Sequence, residues 1–428
     1  MRMFVVLALL LLSPGAVAQE SAAVAQLRRL LGDEVQLAFD RAAEVAGATV
    51  LTGVTLRRQN EVVRIVEARL EGLREDGITR LGLRGISVPG GDIPVTIEGM
   101  ALEGLAIRRP AGGKVLAPEH VSADLLRIEG WRSEGPVPVR IGGVIVERFG
   151  GNRPGQANVT ALEVRTPDMG VADRLSIARM GYAGLDAAEL LGAIIAQRTP
   201  RRSPGQQSLE IEGVALTQGS VVVARLGALT LRGDITAGRP HTGGFAMRGL
   251  EVMPTPPLTD WMQRLGYARL GAEALLDASH DVAAQLLEVT RFSIELSDGG
   301  ALGLTLRADQ VPEEMTATQA QSARLISARL RYEDRSLLQR WIRNQASQQG
   351  ITEAALRQQL VQASAAAMPG QRFAEARGAM ARFLSGDVRV LELTAQPRAP
   401  LRLSQISGKP QSGLEGWRDM LGLVLTAR

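Results

Sequence analysis

The residue types that most often carry catalysis or bind metals are few in this chain, and they are scattered along it. The three histidines, His120, His241 and His280, lie in separate segments, and none has a second ligand at metal-binding spacing. The chain contains no cysteine. We therefore expect each histidine to be solvated or hydrogen-bonded rather than to bind a metal or act as a base.

Sequence motifs with a known catalytic mechanism are also missing. The chain has no G-x-S-x-G, H-E-x-x-H or G-x-x-x-x-G-K-[ST] sequence. Asp92, Asp234 and Asp298 stand in glycine-rich turns, where the absence of a D-x-[DN]-x-[DN]-G run favours turn capping over calcium. The sequence thus predicts no catalytic, metal-binding or cofactor-binding residue and no cofactor, and a hydrolase whose site forms no motif is the less favoured alternative.

The charge pattern does not indicate a nucleic-acid-binding protein. The 428 residues carry a formal net charge of +4, and only 3% of them are aromatic. A nucleic-acid surface needs clustered cations with interleaved aromatic side chains. The one basic cluster, Arg198-Thr199-Pro200-Arg201-Arg202, belongs to a Pro/Gly/Gln-rich loop and is best interpreted as a solvated linker.

The N-terminus has the features of a secretory signal peptide over residues 1–18. Arg2 supplies the positive end, residues 4–12 form a short apolar run, and Ala16-Val17-Ala18 is a small-residue cleavage pattern. The run is shorter than the roughly 20 residues of a membrane-spanning helix. We expect a periplasmic protein, with an uncleaved N-terminal anchor in the inner membrane as the alternative.

The rest of the chain predicts a β-rich α+β fold, with long, strongly coiled antiparallel sheet built from glycine-interrupted strands. An N-terminal helix over residues 19–47 is expected to plug one end of a sheet or to lie on a membrane surface. A first antiparallel β region covers residues 48–170, and a second, with short helices, covers residues 171–266. Weak internal repeats occur at irregular spacing, which argues against a fixed-period repeat: Leu83-Arg84-Gly85 returns as Leu231-Arg232-Gly233, and Ile97-Glu98-Gly99 resembles Ile211-Glu212-Gly213.

Residues 267–428 predict a C-terminal module of β-hairpins with a helical cap. The clearest strand signal is the alternation of Phe292, Ile294 and Leu296 with Arg291, Ser293 and Glu295. Three helical segments follow a strand that ends near Tyr332, and Asp334 or Ser336 is expected to cap the first of them. The apolar side chains of these helices would fill a core or line a lipid groove: Leu337, Leu338, Trp341, Ile342, Leu356, Leu360 and Phe383. Trp341 is placed on the buried side.

The same module resembles the terminal portion of uncharacterised proteobacterial envelope proteins with AsmA-like and YdgA-like features. The resemblance covers roughly the last 160 residues. It is carried by residues 286–306 with Ser297-Asp298-Gly299-Gly300 at the turn, by residues 328–340, 348–352 and 356–360, and by residues 381–384, 391–395 and 397–401. It implies an exported, β-rich envelope protein, and it supplies no catalytic residue.

Two non-catalytic functions therefore lead. The first is an exported envelope protein whose coiled sheet binds or shields phospholipid or another acyl-chain ligand, with peripheral membrane contact. The second is a structural component of the envelope, or one that binds other envelope proteins through exposed sheet edges.

The expected signal peptide gives a testable prediction. Cleavage after Ala18 leaves Gln19 as the mature N-terminus of a periplasmic protein. N-terminal sequencing of the protein from a cell fractionation checks this, and Met1 retained on membrane-bound protein would contradict it.

Overall fold

The computed structural model describes residues 22–31, 35–59, 61–89, 93–108, 118–166, 170–199, 203–313, 322–406 and 413–428. The expected signal peptide and its cleavage site, together with Asp92, lie outside these residues. The chain contributes 20 strands to one antiparallel sheet and divides into two compact units, Met1–Val221 and Val222–Arg428. The predicted β-rich fold with a long antiparallel sheet and C-terminal helices is confirmed, and the boundary between the two units falls within a strand.

The first unit is an antiparallel meander in which neighbouring strands along the chain pair with one another from the third strand onward. Its helices are α1 (Ala22–Leu31) and α2 (Ala187–Ile195). Its strands are β1 (Gln36–Ala38), β2 (Arg41–Val45), β3 (Ala48–Arg58), β4 (Glu61–Arg74), β5 (Gly77–Val88), β6 (Val95–Ile107), β7 (Val121–Ser133), β8 (Val139–Phe149), β9 (Gly155–Arg165), β10 (Arg174–Leu185) and β11 (Gly205–Gln218). A 3₁₀ helix, Pro118–His120, precedes β7.

The predicted N-terminal helix over residues 19–47 is too long. Within the described part of that range, the helix ends at Leu31, and residues 36–45 form β1 and β2, which both pair with β3. Leu37 is buried opposite Leu56, and Ala46-Gly47 turns the chain from β2 into β3 with positive φ at both residues. Pairing with β3 thus overrides the helix propensity of this alanine- and glutamate-containing segment.

The short helix α1 buries its apolar side in the core of the first unit. Val24, Leu27, Leu30 and Leu31 are all buried there among side chains of β3 to β6. The cavity left between α1 and these strands is only about 30 Å³, roughly the volume of one water molecule. Of the two placements considered for this helix, packing on the sheet is the one found.

Two glycines of the repeated triplets, Gly85 and Gly213, lie at bends in their strands. Gly85 of β5 has φ +63° and stands opposite Val66 of β4, between the pairs Ile65↔Ile86 and Glu67↔Arg84. A Cβ atom at Gly85 would lie 2.6 Å from Cγ2 of Val66. Gly213 of β11 has the same φ and faces Ala178 of β10. At Gly85 and Gly213 the glycine therefore lets one strand bend beneath its neighbour's side chain, whereas Gly99 and Gly233 of the related triplets have no positive φ.

The second unit is also built on an antiparallel meander and contains most of the described helices. Its strands are β12 (Val221–Ile235, whose first residue belongs to the first unit), β13 (His241–Val252), β14 (Leu270–Asp281), β15 (Leu286–Leu296), β16 (Gly300–Asp309), β17 (Arg324–Asp334), β18 (Val390–Ala395), β19 (Leu401–Arg402) and β20 (Leu423–Ala427). Its helices are α3 (Thr259–Leu265), α4 (Leu337–Gln349), α5 (Glu353–Ala367), α6 (Ala374–Ser385), α7 (Leu403–Ile406) and α8 (Gly413–Leu421), with a 3₁₀ helix at Gln371–Phe373.

The start of α4 is held by the preceding strand and by a hairpin turn. Oδ1 of Asp334 accepts the backbone N–H of Leu338 at 2.8 Å, so Asp334 supplies the predicted cap, while Ser336 donates its hydroxyl to the carbonyl of Asp298. The carbonyl of Gly299 accepts the backbone N–H groups of Arg335, Ser336 and Leu337 at 3.0 Å each. These bonds satisfy donors that a helix N-terminus otherwise leaves unpaired. The turn between β15 and β16 is thus part of the helical cap.

The bend at Gly85 can be tested by substitution. Gly85→Ala is expected to lower the free energy of unfolding by about 1–3 kcal/mol, because alanine at positive φ is strained and its Cβ would press on Val66. Gly82→Ala is the matched control in the same strand, since a Cβ at Gly82 meets no atom within 4 Å. Urea denaturation followed by circular dichroism measures both. Equal stability of the two variants would contradict the assigned role of Gly85.

Candidate functional site

The candidate site is one face of the sheet in the second unit, where apolar residues align across eight successive pairing strands. The registers from β12 to β18 and then β20 connect two adjacent rows on this face. The first row is Leu231, Phe245, Leu276, Phe292, Leu304, Leu330, Leu393 and Leu425. The second row is Leu229, Met247, Ala274, Ile294, Leu302, Tyr332, Leu391 and Ala427. We call these two rows the apolar face.

The apolar face follows from strand alternation and from the register. In β15, Phe292 and Ile294 project to this face, as the sequence predicted, and Arg291, Ser293 and Glu295 project to the other. Each antiparallel pairing sets residues of the same facing direction opposite one another. Sixteen residues separated by up to 198 positions in the chain are thereby brought together (Leu229 to Ala427).

The side chains of the apolar face are unusually accessible for their type. Leu231, Ile294 and Leu330 are 41%, 43% and 38% exposed, and Ala427 is the only residue of the two rows that is buried. An equivalent row in the first unit behaves differently. There Leu51, Ala68, Leu83, Met100, Ile128 and Val144 align across six strands, and all six are buried.

The opposite face of the same strands is charged. Ion pairs join neighbouring strands there, with Arg307 Nε 2.6 Å from Glu288 and Arg329 Nη2 2.7 Å from Glu392. Arg232 of β12 reaches across Gly244 of β13 to pair with Asp277 of β14. Glu392 is buried, whereas the pairs Arg307–Glu288 and Arg232–Asp277 are open to solvent and contribute only about 0–1 kcal/mol each to stability. Their value is diagnostic: they identify the solvated side of the sheet and leave the apolar face as the side available to an apolar ligand.

Helix α6 covers one end of the apolar face. Phe383 is buried against Tyr332 with ring centroids 5.9 Å apart in an edge-to-face arrangement, and Leu391 and Leu425 pack around it. The hydroxyl of Tyr332 donates to Asp334 at 2.9 Å. Burial, followed by this hydrogen bond to Asp334, raises the pKa of Tyr332 above its usual value, so the phenol stays neutral. The helical cap is therefore anchored on the β17, β18 and β20 end of the apolar face.

The helix residues predicted as core or groove divide into separate packing groups. Ile342 and Leu356 are buried, with Leu338 and Leu360 packed against them, between α4 and α5. Leu337 packs against Met262 and Leu265 of α3, and Phe383 covers Tyr332. Ile342, Leu356 and Phe383 thus belong to the packed core of the helices, whereas a lipid groove along the helices stays a prediction.

Trp341 is the exception among these predicted residues. Its side chain is 39% exposed, which corrects the expectation that it lies on the buried side of α4. The buried positions of α4 are Ile342 and Ala346, one step further round the helix. The sequence alone could not distinguish the two, because Leu337, Leu338, Trp341 and Ile342 form a stripe wide enough to meet two different neighbours.

Two of the three histidines, which lie in separate segments of the sequence, are paired across neighbouring strands. His241 of β13 is the register partner of His280 of β14, and Nε2 of His280 lies 2.9 Å from the carbonyl oxygen of Val311. The two histidines are 39 residues apart in sequence, so only the strand register reveals this pair. Among the described residues no group of three or more His, Asp or Glu side chains could hold a metal ion.

The dimensions of the apolar face suit an extended hydrocarbon chain. The five strands β12 to β16, which precede the end covered by α6, span roughly 19 Å at about 4.8 Å spacing. One bilayer leaflet accommodates acyl chains within roughly 15 Å, half of the hydrocarbon thickness. A lipid chain lying across the strands would therefore find apolar side chains along its whole length.

Comparison with known proteins adds one match. A protein-family model described as "Uncharacterized protein" matches residues 293–428, a segment from β15 to the last residue. No curated protein matches the chain. Within the part of the chain that the structure describes, every helix is too short or too polar to span a bilayer.

The packing of α4 gives a paired prediction. Ile342→Ala should lower the free energy of unfolding by about 2–5 kcal/mol, because it opens a cavity at a fully buried site. Trp341→Ala should cost far less than the roughly 3–5 kcal/mol of a buried aromatic residue. Denaturant unfolding of both variants measures the difference. A larger loss for Trp341→Ala would contradict the assignment of the buried side.

Proposed function

We propose that this protein is an exported, non-catalytic component of the cell envelope whose apolar face binds the acyl chains of phospholipid or a similar lipid. The observation that carries the proposal is the exposure of large aliphatic side chains, Leu231, Ile294 and Leu330, within two aligned apolar rows. Contiguous exposed apolar surface of this kind is typical of binding sites. The charged reverse face supports the assignment, since it leaves only one side of the sheet suited to a lipid.

The energetics require contact over several strands. Each buried methylene contributes about 0.8 kcal/mol, so ten methylenes contribute about 8 kcal/mol. Association itself costs on the order of 4–15 kcal/mol in lost translational and rotational freedom. A chain that crosses only one or two strands would thus gain too little. Binding along the direction of the rows supplies the longest continuous apolar contact.

The proposed location is the periplasm, and it is supported by the N-terminal sequence and by the family resemblance of the last 160 or so residues. Retention of the N-terminus as an inner-membrane anchor is the alternative, and it leaves the same face in the same compartment. No nucleic acid, metal or cofactor is part of the proposal.

A structural role in contact with other envelope proteins is the second candidate. The same exposed aliphatic side chains would then be covered by a protein partner. Lipid mass spectrometry of the protein purified from the periplasm separates the two roles. Phospholipid that co-purifies with the protein supports lipid binding, and its repeated absence favours the protein partner.

A charge placed on the apolar face provides the direct test. Ile294→Asp should weaken binding of an environment-sensitive fluorescent fatty acid at least tenfold, because an unpaired carboxylate beside a hydrocarbon chain costs well over 1.4 kcal/mol. Ile294 is exposed, so the fold should tolerate the change. Displacement of the fluorescent fatty acid by phospholipid shows whether both use the same site.

Thr305→Asp is the matched control for this experiment. Thr305 is exposed on the charged face of β16, opposite Arg329, and its substitution should leave the affinity within about twofold. An equal loss of fatty-acid affinity in Ile294→Asp and Thr305→Asp would mean that a new charge weakens binding on either face of the sheet, and would contradict the assignment of the apolar face. Absence of saturable binding to the unaltered, folded protein would remove the lipid proposal and leave the structural one.

A further inference from the structure

The second unit displays an aromatic patch beside the apolar face. The chain has only four tryptophans, and two of them, Trp261 on α3 and Trp341 on α4, are 41% and 39% exposed. Leu258, one turn before Trp261, is also exposed. We call Leu258, Trp261 and Trp341 the tryptophan patch.

The patch is built on a rigid junction between the two helices. The ring of Trp261 stacks on Tyr267 with centroids 5.9 Å apart and planes 11° apart, and the guanidinium of Arg340 lies 4.5 Å from the Tyr267 ring centroid. Nη1 of Arg340 donates to the carbonyls of Leu265 and Gly266, at 3.1 and 2.8 Å, at the end of α3. These contacts hold the indole in place before any partner arrives.

Trp341 belongs to the same junction. It follows Leu337 by one helical turn, and Leu337 packs against Met262 and Leu265 of α3. Residues four apart lie on the same side of a helix. This spacing places Trp341 on the α3 side of α4, directly after Arg340, whose guanidinium reaches the end of α3.

The charges around the patch favour an anionic partner. Helices α3 and α4 together carry three arginines, Arg264, Arg340 and Arg343, and one acidic residue, Asp260. Arg264 stands one turn after Trp261 and is exposed, and its Nε donates to the backbone carbonyl of Asp260 at 3.2 Å. Arg343 is paired at 3.2 Å with Glu353 of α5, a surface contact. An amphipathic indole ring beside arginine is the combination that suits the headgroup level of a membrane.

The patch is also continuous with the proposed lipid site. Tyr267 is buried at the end of α3, and three residues later β14 begins and contributes Ala274 and Leu276 to the apolar face. Helix α4 follows directly after β17, which contributes Leu330 and Tyr332. The patch thus stands at the ends of two strands that form the apolar face.

We propose that the tryptophan patch docks the protein on the surface of a bilayer that contains anionic lipid. Docking would bring the ends of β14 and β17 to the headgroup region, where a lipid could pass to the apolar face. Passage of a lipid to the apolar face rests on the proposed lipid binding, whereas docking on the bilayer does not depend on lipid binding.

Flotation of the full mature protein with vesicles tests the proposal. The vesicles contain equal parts of phosphatidylglycerol and phosphatidylcholine, with vesicles of pure phosphatidylcholine for comparison. The double variant Trp261→Ser/Trp341→Ser should lose at least tenfold in partitioning to the anionic vesicles. The unaltered protein should bind the pure phosphatidylcholine vesicles more weakly than the anionic ones, and equal binding would overturn the assignment of an anionic surface.

Ile194→Ser is the control for general hydrophobicity. Ile194 of α2 is 73% exposed, more than either tryptophan, and lies in the first unit. Its substitution should leave vesicle binding unchanged. Undiminished binding by the double variant, or an equal loss in Ile194→Ser, would overturn the proposal, and so would the absence of vesicle binding by the unaltered protein.

A second measurement avoids dependence on the folding of the double variant. In a Trp131→Phe/Trp417→Phe background only the two patch tryptophans fluoresce, and brominated lipid in the vesicles should quench them. Unquenched emission from vesicle-bound protein would overturn the proposal.

Fatty-acid affinity of the Trp261→Ser/Trp341→Ser variant in vesicle-free solution should stay within about twofold of the original. Loss of docking with retained fatty-acid affinity therefore separates this proposal from the function of the apolar face.

Discussion

The register between antiparallel strands is the constraint on which the rest of this structure depends. Side chains alternate between the two faces of a strand, so a slip of one residue exchanges the faces completely. In β15 such a slip would place Arg291, Ser293 and Glu295 where Phe292 and Ile294 now stand in the apolar rows. Four register shifts, in the pairings of β13 with β14, β14 with β15, β15 with β16 and β16 with β17, accommodate extra residues without ending the rows.

The same construction has two different outcomes in the two units. In the first unit the aligned row from Leu51 to Val144 is buried, and α1 packs on part of that face until only about 30 Å³ remains empty. That face serves stability, since each buried aliphatic side chain contributes about 1.5–3 kcal/mol. In the second unit α6 covers only the end of the face near β18 and β20. The remaining aliphatic side chains contribute less to folding than their number suggests, and they stay available for association.

Local patterns predicted what depends on local structure. The alternation in β15 and the Asp334 cap of α4, whose Oδ1 accepts the Leu338 N–H at 2.8 Å, both appear where the sequence placed them. Residues 36–45 were misassigned as helix because their pairing partner, β3, acts through tertiary contacts. The exposure of Trp341 and the meeting of His241 with His280 depend on neighbours distant in sequence. For the same reason the two apolar rows could be expected only as strand faces and not as one site.

An uncovered apolar face carries a cost, because it also invites aggregation. The chain limits that risk on the other surfaces of the second unit. Its reverse face carries cross-strand ion pairs, and β19, which pairs with β17, has only two residues and directly follows Pro400. Proline and short strands both weaken edge pairing. These features protect the edge at β19, whereas the sheet is left apolar where a chain without backbone hydrogen-bonding groups could lie. A hydrocarbon chain meets that condition, because it needs burial and forms no hydrogen bonds.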